Sequence, residues 1–460
     1  VTAETTGPEG PTTDPAGRRR EQRGWYFYDF ACSVYSTSVV TVFLGPYLKS
    51  VAENAAGGED GLVYPLGIPV APGSLFPYAV SVSLVVAIVA MPLVSAAADR
   101  RGRKKPLLAA AAYLGAGATT GMFFLEGTRY LLGAFLLIVA NASFAVAMML
   151  YNAYLPQIAG PEERDEVSSR GWAFGYTSGA LVLVLNLVLY SGHESFGLEE
   201  GEAVRICLAS AGLWWGAFAL IPLKRLRDRR LPTAPAGAGR PAGEGAVGAG
   251  WRQLRSTLRD MRAHPLTLAF LLAYLVYNDG VQTVISQAAI FGEEELGLEK
   301  TTLITAVLLV QVLAVAGALL MARFARTYGA KRTILGALVV WTVILVAGYL
   351  LPAGAPVFFY CLAAAIGLVM GGTQALSRSL FSHLVPEGKE AEYFSAYELS
   401  DRGLSWLGPL MFGLVYQLTD SYRAAIISLV IFFVAGFALL ARVPVRDAAH
   451  EAGNVVPERI

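Results

Sequence analysis

Ala98-Asp99-Arg100-Arg101-Gly102-Arg103-Lys104-Lys105 stands between two long apolar runs. An offset of 227 residues leads to Ala325-Arg326-Thr327-Tyr328-Gly329-Ala330-Lys331-Arg332, which stands between two more. That offset sets Gly102 on Gly329 and Lys104 on Lys331. Pro161-Glu162-Glu163-Arg164, followed by Ser169, returns as Pro386-Glu387-Gly388-Lys389, followed by Ser395, at offsets of 225 and 226. Charged turns repeated in register predict two related halves, and such halves place a substrate path between them, near the membrane midplane.

The composition says what the turns connect. Of 460 residues, 55% are hydrophobic and only 15% charged, against the roughly 25% charged of an ordinary globular chain. Too little polar surface exists to cover a water-soluble core of this size. The apolar residues fall in twelve runs long enough to cross a bilayer: 25–49, 75–97, 107–126, 130–154, 171–191, 204–222, 265–291, 301–322, 332–351, 356–380, 394–418 and 422–441. They run continuously rather than alternating, which excludes a membrane barrel. The expected fold class is an all-α membrane protein: twelve transmembrane helices in two six-helix pseudo-repeats.

Thirty of the 36 Lys and Arg residues fall on one side if the N-terminus is placed inside. The positive-inside rule then predicts both termini to be cytoplasmic. The expected organisation is a disordered cytoplasmic tail over 1–24, a six-helix half over 25–222, a cytoplasmic linker over 223–264, a second half over 265–441 and a cytoplasmic tail over 442–460. Within the linker, 232–250 is low-complexity. Trp251, Leu254, Leu258 and Met261 then set an apolar stripe beside Arg252, Arg255, Arg259 and Arg262, the pattern of a helix lying on an anionic membrane. No signal peptide is expected ahead of the first span. With 36 basic and 35 acidic residues the net charge is +1, which predicts no attraction to nucleic acid.

Ser95-Ala-Ala-Ala-Asp99-Arg-Arg-Gly-Arg-Lys104 resembles the signature loop between helices two and three of the major facilitator superfamily, Gly-x-Leu-Ala-Asp-Arg-x-Gly-Arg-Lys/Arg. Asp99, Arg100, Gly102, Arg103 and Lys104 match. Ser95 and Ala97 stand where the pattern has Gly and Leu. The second copy has Arg326 where Asp99 would be, so the pair of loops is asymmetric. Trp25-Tyr26-Phe27-Tyr28-Asp29-Phe30-Ala31-Cys32-Ser33, Tyr277-Asn278-Asp279-Gly280-Val281-Gln282-Thr283 and Phe394-Ser395-Ala396-Tyr397 are similar to the vacuole-effluxer-like branch. The resemblance implies a major facilitator fold with a gating loop at Asp99, Arg100, Gly102, Arg103 and Lys104. It also implies alternating access and a small polar solute, such as an amino acid, as cargo. The simpler reading of the basic loop residues is that they fix topology.

Charges inside spans are costly and usually face the bundle interior or a cavity. The substrate or proton candidates are Asp29, Asn278, Asp279, Gln282, Glu398 and Arg402. Asp279 lies fourteen residues after Pro265, roughly 21 Å along the seventh span. Asn278-Asp279-Gly280 is a poor helix interior and predicts a break there. Asp279 is either a proton or amine partner or a structural hydrogen bond to a neighbouring helix. Glu398 and Arg402, four apart, share a helix face and can pair, and Arg402 is also a candidate for a substrate carboxylate. Gln282 follows Asp279 by three on one face.

His193, His264, His383 and His450 are expected outside the spans. The three cysteines show no metal spacing, so neither metal nor cofactor is expected. Phosphate-loop and zinc-helix motifs are lacking, which argues against an enzyme or an ATP-driven pump. The expected partners are a small-molecule substrate, protons and the lipid bilayer, with a monomeric chain in a prokaryotic plasma membrane. A non-transporting membrane sensor or lipid-handling protein on the same fold is the alternative.

Overall fold

The computed structural model describes residues 15–58, 61–101, 103–229, 255, 259–402 and 407–457. Among these there is no strand, only an isolated bridge between Val63 and Val70. We number the helices α1 (Pro15–Ala56), α2 (Pro72–Arg101), α3 (Lys104–Gly121), α4 (Tyr130–Asn152), α5 (Arg164–Ser191) and α6 (Glu200–Arg225). The second repeat follows with α7 (Pro265–Ile290), α8 (Lys300–Tyr328), α9 (Ala330–Tyr349), α10 (Pro356–Ser382), α11 (Glu390–Arg402), α12 (Leu407–Thr419) and α13 (Tyr422–Arg442). A short α14 (Val445–Glu451) comes last. Eleven described helices are long and apolar enough to cross a membrane, and α11 with α12 occupies the remaining crossing region.

The chain divides into two compact units. One holds Arg19–Tyr151 and Thr177–Gln253; the other holds Val1–Arg18, Asn152–Tyr176 and Leu254–Ile460. The stretch 152–176, which belongs to the first sequence repeat, is thus built into the same unit as the helices of the second.

Two expectations change. The tail expected over 1–24 is helical from Pro15 onward. Proline suits the first turn of a helix, and the Arg, Glu and Gln residues that follow are good helix formers. Glu21 is buried there and pairs with Arg229 at 2.6 Å. The seventh span does not break at Asn278-Asp279-Gly280, because α7 runs through it. Asn278 and Asp279 bond partners on other segments rather than their own backbone, and Gly280 admits a close neighbour. A Cβ at Gly280 would stand 2.9 Å from Phe432 Cβ and 3.2 Å from the Phe433 ring. The eleventh span, expected as one helix over 394–418, is helical over Glu390–Arg402 and Leu407–Thr419, and 403–406 lie outside the described residues. The helix expected over 251–262 lies mostly outside the described residues. Its end is helical at 259–261, with Met261 buried.

Glycines set the tightest helix contacts, as lipid-solvated bundles require. Gly367 and Gly371 of α10 meet the backbone of Val310 and Ala314 on α8, and Gly317 of α8 meets the backbone of Leu368. In the other unit Gly115 of α3 takes the Trp215 ring and Gly212 of α6 takes Thr120. Within α1, Tyr35–Phe43 widens to a π-helix, and Thr41 Oγ1 donates to the Ser36 carbonyl five residues back at 2.8 Å. Such widenings recur at functional sites.

Candidate functional site

The acid of α1 is held by a rigid aromatic frame. Trp25 stacks on Tyr151 with ring centroids 4.3 Å apart, and its Nε1 donates to the Tyr151 carbonyl at 2.9 Å. Tyr28 packs on the other contact of the same ring at 4.8 Å. The frame fixes the Tyr151 hydroxyl, which donates to Asp29 Oδ2 at 2.6 Å, and Asp29 is 3% exposed.

The acid of α7 is held differently. Asp279, 2% exposed, accepts the Gly408 N–H on Oδ2 at 2.7 Å. Gly408 lies on α12, and a hydrogen bond to an ionised acceptor is stronger than one to a neutral group. A side chain at Gly408 would collide with Thr283, so only glycine lets α12 press against α7 here. Oδ1 of Asp279 is buried and has no hydrogen-bond partner among the described residues. An acid with one oxygen anchored and the other open can take up a proton or an amine.

Around Asp279 the helix face is polar. Asn278 Nδ2 donates to Asp401 Oδ1 at 2.8 Å and the Tyr274 hydroxyl donates to the same oxygen at 2.6 Å. Tyr277 and Ser377 join hydroxyls at 2.6 Å. Gln282 is half-buried and makes no hydrogen bond to Asp279 among the described residues. Arg402 is the last described residue of α11, and its side chain lies outside the described residues.

Glu398 belongs to a separate buried network. Asn152 Nδ2 donates to Glu398 Oε1 at 2.7 Å, while Asn152 Oδ1 accepts from Arg378 Nη1 at 3.2 Å. Arg378 Nε and Nη2 donate to Ser168 Oγ and the Ser168 carbonyl, at 2.9 and 2.8 Å. Its guanidinium lies 5.4 Å from the centroid of the Trp172 ring. Arg378, one of the thirty basic residues on the expected inside face, is 1% exposed. The missed signal was an arginine inside an apolar run, flanked by Ser377 and Ser379. The offset of 226 residues relates Asn152 to Arg378 and Trp172 to Glu398, so Asn152–Glu398 and Arg378–Trp172 are the same contact made twice.

The loop candidates bond inside their own unit. Lys104 Nζ pairs with Asp99 Oδ1 at 3.6 Å, with both side chains nearly buried. The backbone N–H groups of Lys104 and Lys105 donate to Asp228 Oδ1 at 3.1 and 3.0 Å. Asp228 thereby caps α3, a role the sequence reading did not assign. Lys105 Nζ donates to the Leu226 carbonyl at the end of α6 at 3.1 Å. Arg103 is exposed; Gly102 and the Arg100 side chain lie outside the described residues.

His383, just past α10, is buried, with Arg164 Nη1 at 3.4 Å from its Nδ1. Burial first, and the arginine second, hold the imidazole well below its usual range. Arginine can only donate, so Nδ1 accepts and the ring proton sits on Nε2.

Twelve apolar crossings in two repeats, with polar groups collected inside them, define the class of the major facilitator transporters. Solved structures share this fold. The proton:xylose symporter XylE aligns with a TM-score of 0.67 at 14% identity, over 93% of this chain and 96% of that one. The transporter FucP in its outward conformation aligns with a TM-score of 0.66 at 12% identity, over 92% and 98%. The profile of the family described as "Vacuole effluxer Atg22 like" matches residues 17–453, and the chain belongs to that family. Among its relatives are an uncharacterised MFS-type transporter, YxiO, of Bacillus subtilis, 27% identical over 92% of this chain and 95% of that one. Autophagy-related protein 22 of Saccharomyces cerevisiae is 26% identical over 95% and 94%.

Proposed function

We propose that this protein is a secondary active transporter that moves a small polar solute, an amino acid or similar metabolite, in the export direction by alternating access. The coupling ion is the proton and Asp279 carries it. The observation that supports this reading is the Asp279 carboxylate: buried in a membrane-crossing helix, bonded to the Gly408 N–H of α12, and with no hydrogen-bond partner on Oδ1 among the described residues. Ionised, it holds the Gly408 N–H strongly; protonated, it holds it less strongly and loosens the contact between α7 and α12. Asn278 and Gln282, four residues apart on α7, contribute the polar lining for the cargo, and Arg402 is the partner for a cargo carboxylate. Asp29 holds α1 in place through Tyr151.

The Arg378–Asn152–Glu398 network is the latch of this cycle. It ties the 152–176 stretch to α10 and α11, and its release accompanies the change of access. The Asp99–Lys104 loop braces the end of α2 against α3 while this happens. The chain sits in a prokaryotic plasma membrane with both termini in the cytoplasm and works as a monomer.

Purified protein in liposomes, screened with labelled amino acids, sugars and short peptides under an imposed pH gradient, tests the reading. Uptake or efflux that follows the gradient supports it. Flux indifferent to the gradient removes the proton from the cycle, and binding without flux assigns the protein to sensing instead.

A further inference from the structure

A cleft of about 560 Å³ lies where the start of α5 meets the end of α8. One stripe of α8 lines it with Ala316, Leu319, Arg323 and Arg326, spaced so that they share a helix face. From α5 come Glu166 and Arg170, one turn apart. Three arginines against one glutamate leave the lining with two surplus positive charges.

The arginines are not equally committed. Glu166 pairs with Arg170 on its own helix and stands 3.8 Å from Arg326. Arg323 is exposed, and among the described residues its guanidinium makes no ion pair. The rest of the stripe is apolar: Leu319 is 44% exposed, and small Ala316 leaves the space beside it open.

The position along the helix selects the ligand. Phe324 and Tyr328 are exposed on the same last turns of α8, the aromatic pattern of a membrane–water boundary. The cleft therefore straddles that boundary, with arginines at headgroup level and Leu319 at the level of the acyl chains. Guanidinium forks match the oxygens of a phosphodiester, and surplus charge at the surface attracts acidic lipid. A dissolved anion would use the arginines and leave the apolar floor wet.

We propose that this cleft is a binding site for the headgroup and first chain segment of an acidic phospholipid. Glu166 is its internal competitor, occupying Arg170 and Arg326 when no lipid is present.

The test uses the full chain in phosphatidylcholine nanodiscs, with and without phosphatidylglycerol, reading lipid retention by native mass spectrometry and melting temperature. Phosphatidylglycerol should be retained and should raise the melting temperature. Arg323→Gln and Arg326→Gln should each weaken retention roughly fivefold, from the free energy typical of one basic residue near an acidic membrane. Glu166→Gln should strengthen it. Arg129→Gln, on the turn before α4, should change nothing, and the variants should melt like the parent in pure phosphatidylcholine. Equal retention by the Arg323→Gln/Arg326→Gln double variant overturns the site. Equal protection by inorganic phosphate in phosphatidylcholine alone overturns the lipid assignment and makes the ligand a soluble anion. Weaker retention by Glu166→Gln overturns the competitor role.

Discussion

The two repeats place an aspartate in their first helix and treat it in opposite ways. Asp29 receives a hydroxyl from Tyr151, itself clamped by Trp25 and Tyr28. Asp279 receives the backbone N–H of Gly408, and its second oxygen has no hydrogen-bond partner among the described residues. A side-chain donor in an aromatic frame makes a fixed strut. A lone backbone N–H makes a contact whose strength changes with the charge on the acid. The contrast motivates the proposal that the first repeat's acid is structural and the second's carries the proton.

The largest effect should come from breaking this asymmetry at Asp279. Asp279→Asn keeps the size and removes the titration, and it should reduce gradient-driven flux in proteoliposomes to background. Asp29→Asn should retain most of the flux, because an amide oxygen still accepts from Tyr151. Equal loss in both variants would remove the distinction between strut and proton carrier.

Arg378 tests the same contrast through stability. Its matching position in the first repeat is Asn152, a neutral residue. Arg378→Met should destabilise by roughly 1–3 kcal/mol for each buried acceptor it leaves bare, among Ser168 Oγ, the Ser168 carbonyl and Asn152 Oδ1. Trp172→Leu removes the cation–π contact together with the ring's packing on Tyr176 at 5.5 Å, and the cation–π part should cost about 0.5–2 kcal/mol. Thermal unfolding in detergent measures both, and a Trp172 effect larger than that of Arg378 would place the latch in the aromatic contact instead of the hydrogen bonds.

The crossings and the repeat were legible from the sequence because both are written in runs and spacings. Twenty apolar residues exclude water wherever they sit, and charged turns mark where they end. The network around Arg378 was not legible, because burial of a charge depends on which helices meet. Ser168 and Asn152 lie more than two hundred residues before Arg378, and the repeat offset that relates Asn152 to Arg378 does not say that the two touch. Asp279 was legible as an intramembrane charge, but its Gly408 partner was not. The poor-helix triplet at 278–280 misled for a related reason: its residues satisfy contacts between helices, and backbone propensity yields to packing in such places. The same limit hid Asp228, which caps a helix more than a hundred residues upstream.

His383 has Gln157 at the matching position of the first repeat, so only the second carries an acid-sensitive group here. Its imidazole is depressed in the folded chain, so the unfolded chain binds the extra proton first as pH falls. The stability due to keeping His383 neutral is therefore complete above the unfolded value of about 6.5 and is lost below it, by up to about 1.4 kcal/mol per pH unit. Melting temperatures across that range should fall on acidification for the parent and more shallowly for His383→Gln. Parallel curves would mean that the histidine stays neutral through contacts equally present in the unfolded chain.

The smallest expected difference lies between the two charged turns. In both, a lysine closes the end of the last helix of its repeat: Lys105 on Leu226, and Lys331 on the carbonyls of Ala441 and Val443 at 2.9 and 2.7 Å. A cation on the last carbonyls of a helix is worth about 0.3–1 kcal/mol, so Lys331→Met should lower stability by that amount. The first turn also has Asp228 across the N-terminus of α3, where the second repeat has Gly329 at a φ of 89° before α9. An acid on two N–H groups is the stronger device, and Asp228→Ala should cost about 0.5–2 kcal/mol. If Lys331→Met proves the more damaging in thermal unfolding, the second turn rather than the first is the firmer brace, and the assignment of structure to the first repeat fails at its weakest joint.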